Sequence, residues 1–170
     1  IRSVIDKILL LVKHEVTRAN IQVAIEVEPE IPPVSLDLSK FEQVMINLII
    51  NAIHAMEESS PPELTIRARC ETLDDIVRNE GSRKINVFRP GDKAVILEII
   101  DNGCGIDSDD KPKLFDPFFT TKSAGHGTGL GLSVARKIVA LHDGKLSLAN
   151  RNDGEGAVAR ILLPVSSRRT

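Results

Sequence analysis

The chain has 170 residues, 42% hydrophobic and 27% charged, which is enough apolar material for one globular domain with its own core. A formal net charge of -2 and a pI of about 6.1 exclude a global basic field for nucleic acid or an anionic membrane surface. Cys70 and Cys104 lack zinc-site spacing and fit a reducing compartment, no apolar run reaches the roughly 18 residues that span a bilayer, and no signal-peptide pattern opens the chain. The chain begins without Met, so a longer parent is expected.

Val4, Ile5, Ile8, Leu9 and Val12 recur at helical spacing and predict a helix over residues 1–13. "IQVAIEV" from Ile21 then alternates as a strand does. Pro29, Pro32 and Pro33 interrupt the chain, and Asp37 or Ser39 supplies the cap of a helix over about 40–58. Its apolar face is Phe41, Val44, Leu48, Ile49, Ala52, Ile53 and Met56. "LTIRARC" from Leu64 predicts a half-buried strand. Residues 71–93 are polar, without a sustained period, and contain Gly81 and the turn-like "RPGD"; they read as an excursion between strands, disordered or a small hairpin. "AVILEII" from Ala94 is a buried strand that runs into "DNGCGID". A helix after Gly131, to about His142, and two strands, "KLSLAN" and "AVARILL", joined by "RNDGEG", complete the chain.

Gln43, Asn47, Asn51 and His54 are spaced four, four and three apart and share one helix face. Asn is a poor residue inside a helix, because its amide competes with the backbone. The stripe is either a solvated face or a site where Asn51 offers a neutral oxygen to Mg²⁺. In "DNGCGID", Asp101 ends a buried strand and could accept a hydrogen bond from an exocyclic amine such as that of adenine; Asp-Asn-Gly is equally an ordinary turn. Gly125, Gly127, Gly129 and Gly131 precede a helix whose first N–H groups suit an anion, the alternative being a mobile loop. No Gly-Lys-Ser/Thr follows them, so they are not a Walker loop, and no buried strand precedes them, so they are not a dinucleotide fingerprint. Upstream, "LFDPFFTTK" places Phe115, Phe118 and Phe119 in a segment of the kind that packs differently when a lid closes.

In this order the motifs resemble the catalytic, ATP-binding domain of sensor histidine kinases, in the superfamily with DNA gyrase, Hsp90 and the mismatch-repair ATPases. "NLIINAIHAM" looks like the N box, "DNGCGI" the first Gly box, "LFDPFFTTK" the Phe box and "GTGLGLS" the second Gly box. The resemblance runs from about Ile21 to Pro164, and its details look closest to the nitrogen-regulation type. It implies an α/β two-layer sandwich of the Bergerat type: a mixed sheet covered on one face by helices. Residues 1–20 would end a linker helix from a missing phosphoacceptor domain, and 21–170 would be the kinase domain, with an insertion at 71–93 and an ATP lid at 107–126.

The resemblance also implies roles. Asn51 would hold Mg²⁺, Asn47 would lie beside the phosphates and His54 would be among the nucleotide contacts. Asp101 would bind the adenine amine, with Gly103, Gly105 and Ile106 shaping its pocket. Phe119, Thr120, Thr121 and Lys122 would meet ATP from the lid, with Asn47, Asn51 and Lys122 closest to the chemistry. The backbone of Gly127, Thr128, Gly129, Leu130, Gly131 and Leu132 would meet the phosphates. Hydrolases of the superfamily carry a water-activating Glu where this chain has Asn47, and a carboxamide cannot take that proton. A kinase is therefore implied, acting on a histidine of a separate helical domain and feeding a response regulator. Its parent would be a homodimer, cytoplasmic or membrane-anchored, and the fragment a monomer.

An anti-sigma-type serine kinase, an ATP-driven conformational machine and a purely regulatory nucleotide-binding module remain as alternatives. His14 lacks the Pro-Leu of an acceptor box and reads as a structural or surface residue. His54 and Ala157 depart from the residues common in the family, Thr being frequent at the latter position. His126 reads as a lid residue and His142 as a helix-end residue, favourable there when charged.

Overall fold

The computed structural model describes residues 1–74, 88–121 and 128–166. In chain order the elements are α1 (Arg2–Leu11), α2 (Lys13–Arg18), β1 (Gln22–Val27), α3 (Leu38–Ala55), β2 (Glu63–Thr72), β3 (Lys93–Asp101), a 3-10 turn (Lys111–Lys113), α4 (Gly131–Leu141), β4 (Lys145–Asn150) and β5 (Ala157–Pro164). The strands form one sheet in the order β1-β2-β3-β5-β4, with β1 parallel to β2 and the other pairs antiparallel. This is the mixed sheet and two-layer α/β sandwich that the sequence implied.

The apolar period of α3 decides where the core lies. Val44, Met45, Leu48, Ile49, Ala52 and Ile53 are buried together with Leu64, Ile66 and Ala68 of β2, Leu97 and Ile99 of β3, and Ile161 and Leu163 of β5. Ile5 and Ile8 of α1 and Ala135, Ile138 and Val139 of α4 join the same cluster, so the helices cover one face of the sheet. The side chain of Asp37, not Ser39, caps α3 by accepting from the Lys40 N–H at 3.1 Å. The helix ends at Ala55, three residues earlier than its apolar period suggested. Likewise the helix expected over 1–13 stops at Leu11, and α2, with no buried residue, had left no periodic trace.

The opposite face carries two features. Phe88, Ala94, Ile96 and Leu162 are buried there in a small cluster, with Leu73 packed against it. β2 reaches Thr72 and β3 starts at Lys93, and two further bonds, from the Leu73 N–H to Asp92 O at 2.9 Å and from the Gly91 N–H to Leu73 O at 2.8 Å, prolong the pairing into the expected excursion. Residues 75–87 of that excursion lie outside the described residues. Next along the face is Glu98, 3% exposed, which accepts from Arg69 and, at 2.8 Å, from Arg160, with Arg67 3.7 Å away. Burial alone would raise the Glu98 carboxyl, yet the Arg69 and Arg160 guanidinium groups hold it below its ordinary range. Among the described residues no helix is long and apolar enough to cross a membrane.

Candidate nucleotide site

The C-terminal half of α3, the end of β3, the start of β5 and the N-terminus of α4 surround a cavity of about 720 Å³. Its floor is apolar, made by Ile99, Leu148, Ala157 and Ala159. Asn47, Asn51 and His54 line it from α3, whereas Gln43, one turn earlier on the same stripe, is exposed outside it. Phe119, Thr120 and Thr121 line it from the Phe segment, and Thr128, Gly129, Gly131 and Leu132 from the start of α4 and the residues before it. Leu130 is 37% exposed and does not line the cavity. Lys122, Gly127 and His126 lie outside the described residues.

Asp101 is fixed at the end of β3 by its neighbours' backbone. Its side chain lines the cavity, 6% exposed, and Oδ1 accepts the N–H groups of Gly103 at 2.9 Å and Ala157 at 3.2 Å. Among the described residues Oδ2 accepts no hydrogen bond, which leaves an acceptor for a donor in the cavity. Burial raises the carboxyl above its usual value of 3.8, and the two amides and the charge of Arg151 offset part of that rise.

The loop after Asp101 is tied down almost residue by residue. Asn102 Oδ1 accepts from the Glu63 N–H and Nδ2 donates to Pro61 O, each at 2.8 Å, and the Ser59 hydroxyl donates to Asn102 O at 2.9 Å. Gly103 is buried beneath the cavity rather than lining it, because a Cβ there would lie 2.4 Å from Ala55 O. The Cys104 N–H donates to that same oxygen at 3.0 Å, so the loop packs directly on the last turn of α3. Gly105 and Ile106 line the cavity beyond.

At the other end of the cavity, no side chain among the described residues caps α4, which leaves its first-turn amides open to a ligand or solvent. Asn47 Nδ2 reaches Gly131 O at 3.4 Å, which packs α3 against the first turn of α4. The Phe118 N–H donates to Gly129 O at 2.9 Å and ties the Phe segment to the residues just before α4. Gly129 has φ +64°, and a Cβ there would fall 2.3 Å from the Phe118 carbonyl carbon, so this crossing requires glycine. Arg136 of α4 lies 4.8 Å over the Phe115 ring and fastens the start of the Phe segment. Asn102, Ala55 and the apolar floor had not been singled out from sequence; the alternation of β3, which sends Ile99 to the helix side, was the available signal for the floor.

This geometry, an apolar slot with one buried carboxylate at one end and uncapped helix amides at the other, suits a flat base joined to an anionic tail. A family model described as "Histidine kinase-, DNA gyrase B-, and HSP90-like ATPase" matches residues 36–167, and the chain belongs to that family. Within it, the fold is that of the catalytic ATP-binding domain of a histidine kinase. The nucleotide-free catalytic domain of the histidine kinase ThkA superposes with a TM-score of 0.73 at 29% identity, covering 97% of this chain and 92% of that one. ThkA in complex with the response regulator protein TrrA gives 0.70 at 26% identity, over 100% of this chain and 42% of that one. The signal transduction histidine-protein kinase AtoS of Escherichia coli (strain K12) is 32% identical over 166 residues, which are 98% of this chain and only 23% of AtoS. The chain thus spans about a quarter of the length of this relative.

Proposed function

We propose that the chain binds ATP with Mg²⁺ and presents the γ-phosphoryl group to a histidine on a separate phosphoacceptor domain, for relay to a response regulator. The observation that carries this reading is the placement of Asp101 and Asn51 on the walls of one cavity, with an amide, Asn47, one turn before Asn51. Asp101 Oδ2 accepts the adenine amine, and Gly105 and Ile106 border the base. The uncapped amides of α4, with Thr128, Gly129, Gly131 and Leu132, face the phosphates, and Leu130 contributes backbone only.

Asn51 fits a hard cation. It supplies one neutral oxygen, and among the described residues no group of three His, Cys, Asp or Glu could hold a metal. A cation there takes its remaining ligands from phosphate and water, as Mg²⁺ does. When bound, it supplies neutralisation of phosphate charge. Asn47 cannot remove a proton from water, so water is not activated at that position and the phosphoryl group is kept for another acceptor.

The wider assignment follows the same reading. Residues 1–20 lead from a helical phosphoacceptor domain, 21–170 form the kinase domain and 107–126 form its lid, with His54 and Lys122 near the phosphates. The parent kinase works as a homodimer on the cytoplasmic side, while this chain alone is a monomer. The solved complex of ThkA with TrrA supports a response regulator as the downstream partner. The test is to add a separately made phosphoacceptor domain and γ-labelled ATP. Acid-labile label on that domain is the expected result, and acid-stable label or free phosphate alone would refute it.

A further inference from the structure

We propose that Asn150 is a positioning residue for the nucleotide site: its carboxamide fixes the point where the base-facing loop ends and the lid begins. This rests on the ATP-site reading above. Asn150 is the last residue of β4, and its ladder partner is Ala157. Its Oδ1 accepts from the Ile106 N–H at 2.7 Å, and its Nδ2 donates to the Ile106 carbonyl at 2.9 Å. One side chain therefore satisfies both backbone groups of one residue, as a neighbouring strand would. Two bonds to a single residue fix the peptide planes on both sides of it, so Ile106 cannot rotate away from the cavity it lines.

The same rung of the sheet sets the carboxylate. Ala157, opposite Asn150, donates its N–H to Asp101 Oδ1 at 3.2 Å. The Arg151 N–H then closes the turn on Gly156 O at 3.0 Å, holding Asn150 and Ala157 in register. The β4–β5 rung thus places the base-facing acceptor and the loop edge relative to each other, over a sequence gap that no local pattern reveals. A carboxamide makes both contacts because it carries an acceptor and a donor in one plane, whereas an ionised carboxylate only accepts. An aspartate at this position would lose the donor and set a charge against the Ile106 carbonyl, alanine would lose both contacts, and glutamine would keep both groups on a longer arm.

The experiment compares the wild-type chain with Asn150→Ala, Asn150→Asp and Asn150→Gln, and uses Asp101→Asn as a control for the site. Amide exchange without nucleotide reads the clamp, and calorimetric affinities for ATP and GTP read its effect on recognition. In Asn150→Ala the Ile106 amide should exchange at least about tenfold faster, while the Cys104 amide, held by Ala55, keeps its protection. ATP affinity should fall about tenfold and the preference for ATP over GTP should narrow. Asn150→Asp should be at least as impaired, with partial recovery in Asn150→Gln. If Asn150→Ala only lowers the melting temperature, the folded protein keeping its ATP-to-GTP ratio, the positioning role is overturned while the ATP site stands. If Asn150→Ala folds poorly, the same comparison between Asn150→Asp and Asn150→Gln decides the matter, and equal ratios in the two overturn the proposal. A wild-type chain that binds no ATP overturns the site reading and this role with it.

Discussion

The backbone N–H of Asp37 donates to Nε2 of His142 at 2.9 Å, while Nδ1 of the same ring meets Ile138 O at 2.8 Å. The cap of α3 is thereby tied to the end of α4, so the two helices that frame the cavity are held at their far ends by one imidazole. The Asp37 N–H makes Nε2 an acceptor and leaves Nδ1 to donate to Ile138 O, so the helix-end residue expected from the sequence also connects the two helices. His142→Ala should cost about 1 kcal/mol, the scale of a lost cap, and lower the melting temperature by about 2–4 °C in thermal unfolding.

Asp101→Asn should keep the two backbone contacts at Oδ1 but present an amide donor to the adenine amine. ATP affinity should fall at least about tenfold, roughly 1.4 kcal/mol, by calorimetry. Acidification should weaken wild-type binding as well, and it should do so above the pH at which an ordinary carboxylate protonates, because burial raises Asp101. For stability the sign is opposite: the folded state holds this proton more tightly than the unfolded chain. The Asp101 contribution to stability therefore declines as the pH rises through the interval above 3.8. An ATP affinity unchanged in Asp101→Asn would remove Asp101 from the site.

Asn51→Ala removes the oxygen assigned to the cation while leaving the walls of the cavity in place. Its ATP affinity measured with Mg²⁺ should drop to the value measured with a chelator present, and the two wild-type values should differ. Equal Mg²⁺ dependence in both proteins would place the cation elsewhere.

Gly103→Ala drives a Cβ to within 2.4 Å of Ala55 O, which is backbone and cannot rotate away. The loop must lift off α3, at a cost of about 1–3 kcal/mol of stability and with loss of ATP affinity in the same variant. Denaturant unfolding and calorimetry read the two effects. A variant as stable as wild type would show that the loop moves freely over α3.

Glu98 acts in the opposite direction from Asp101. Its folded carboxyl lies below the usual 4.5, so its stabilisation is fully present above that pH and is lost as the pH falls through the lower, folded value. Glu98→Gln should cost on the order of 1–3 kcal/mol at pH 7 and flatten the acid limb of the unfolding curve below pH 4.5. An unchanged acid limb would mean that another carboxylate governs it.

Local pattern was legible in the sequence, and long-range contact was not. The α3 period, a cap at Asp37 or Ser39 and the alternation of β2 were readable because each depends on neighbours within a few residues. The four motifs also fell where the cavity forms. Gln43 shows the limit, since its spacing puts it on the stripe of Asn47 and Asn51, yet the cavity covers only the later turns of α3. Glu98 sat unremarked inside an apolar run because its partners, Arg69 and Arg160, come from the two flanking strands. The contacts His142–Asp37 and Asn150–Ile106 span sequence gaps that no periodicity records, and α2 was too short and too exposed to leave an apolar signature.

Phe88 gives the long connection between β2 and β3 a fixed boundary. Its side chain is 1% exposed and packs with Ala94, Ile96 and Leu162 on the sheet face opposite the described helices. A deletion that takes Phe88 uncovers the apolar side chains beneath it, the kind of surface that associates with other copies of itself. Shortened versions made for crystallisation or nucleotide assays should therefore keep residue 88.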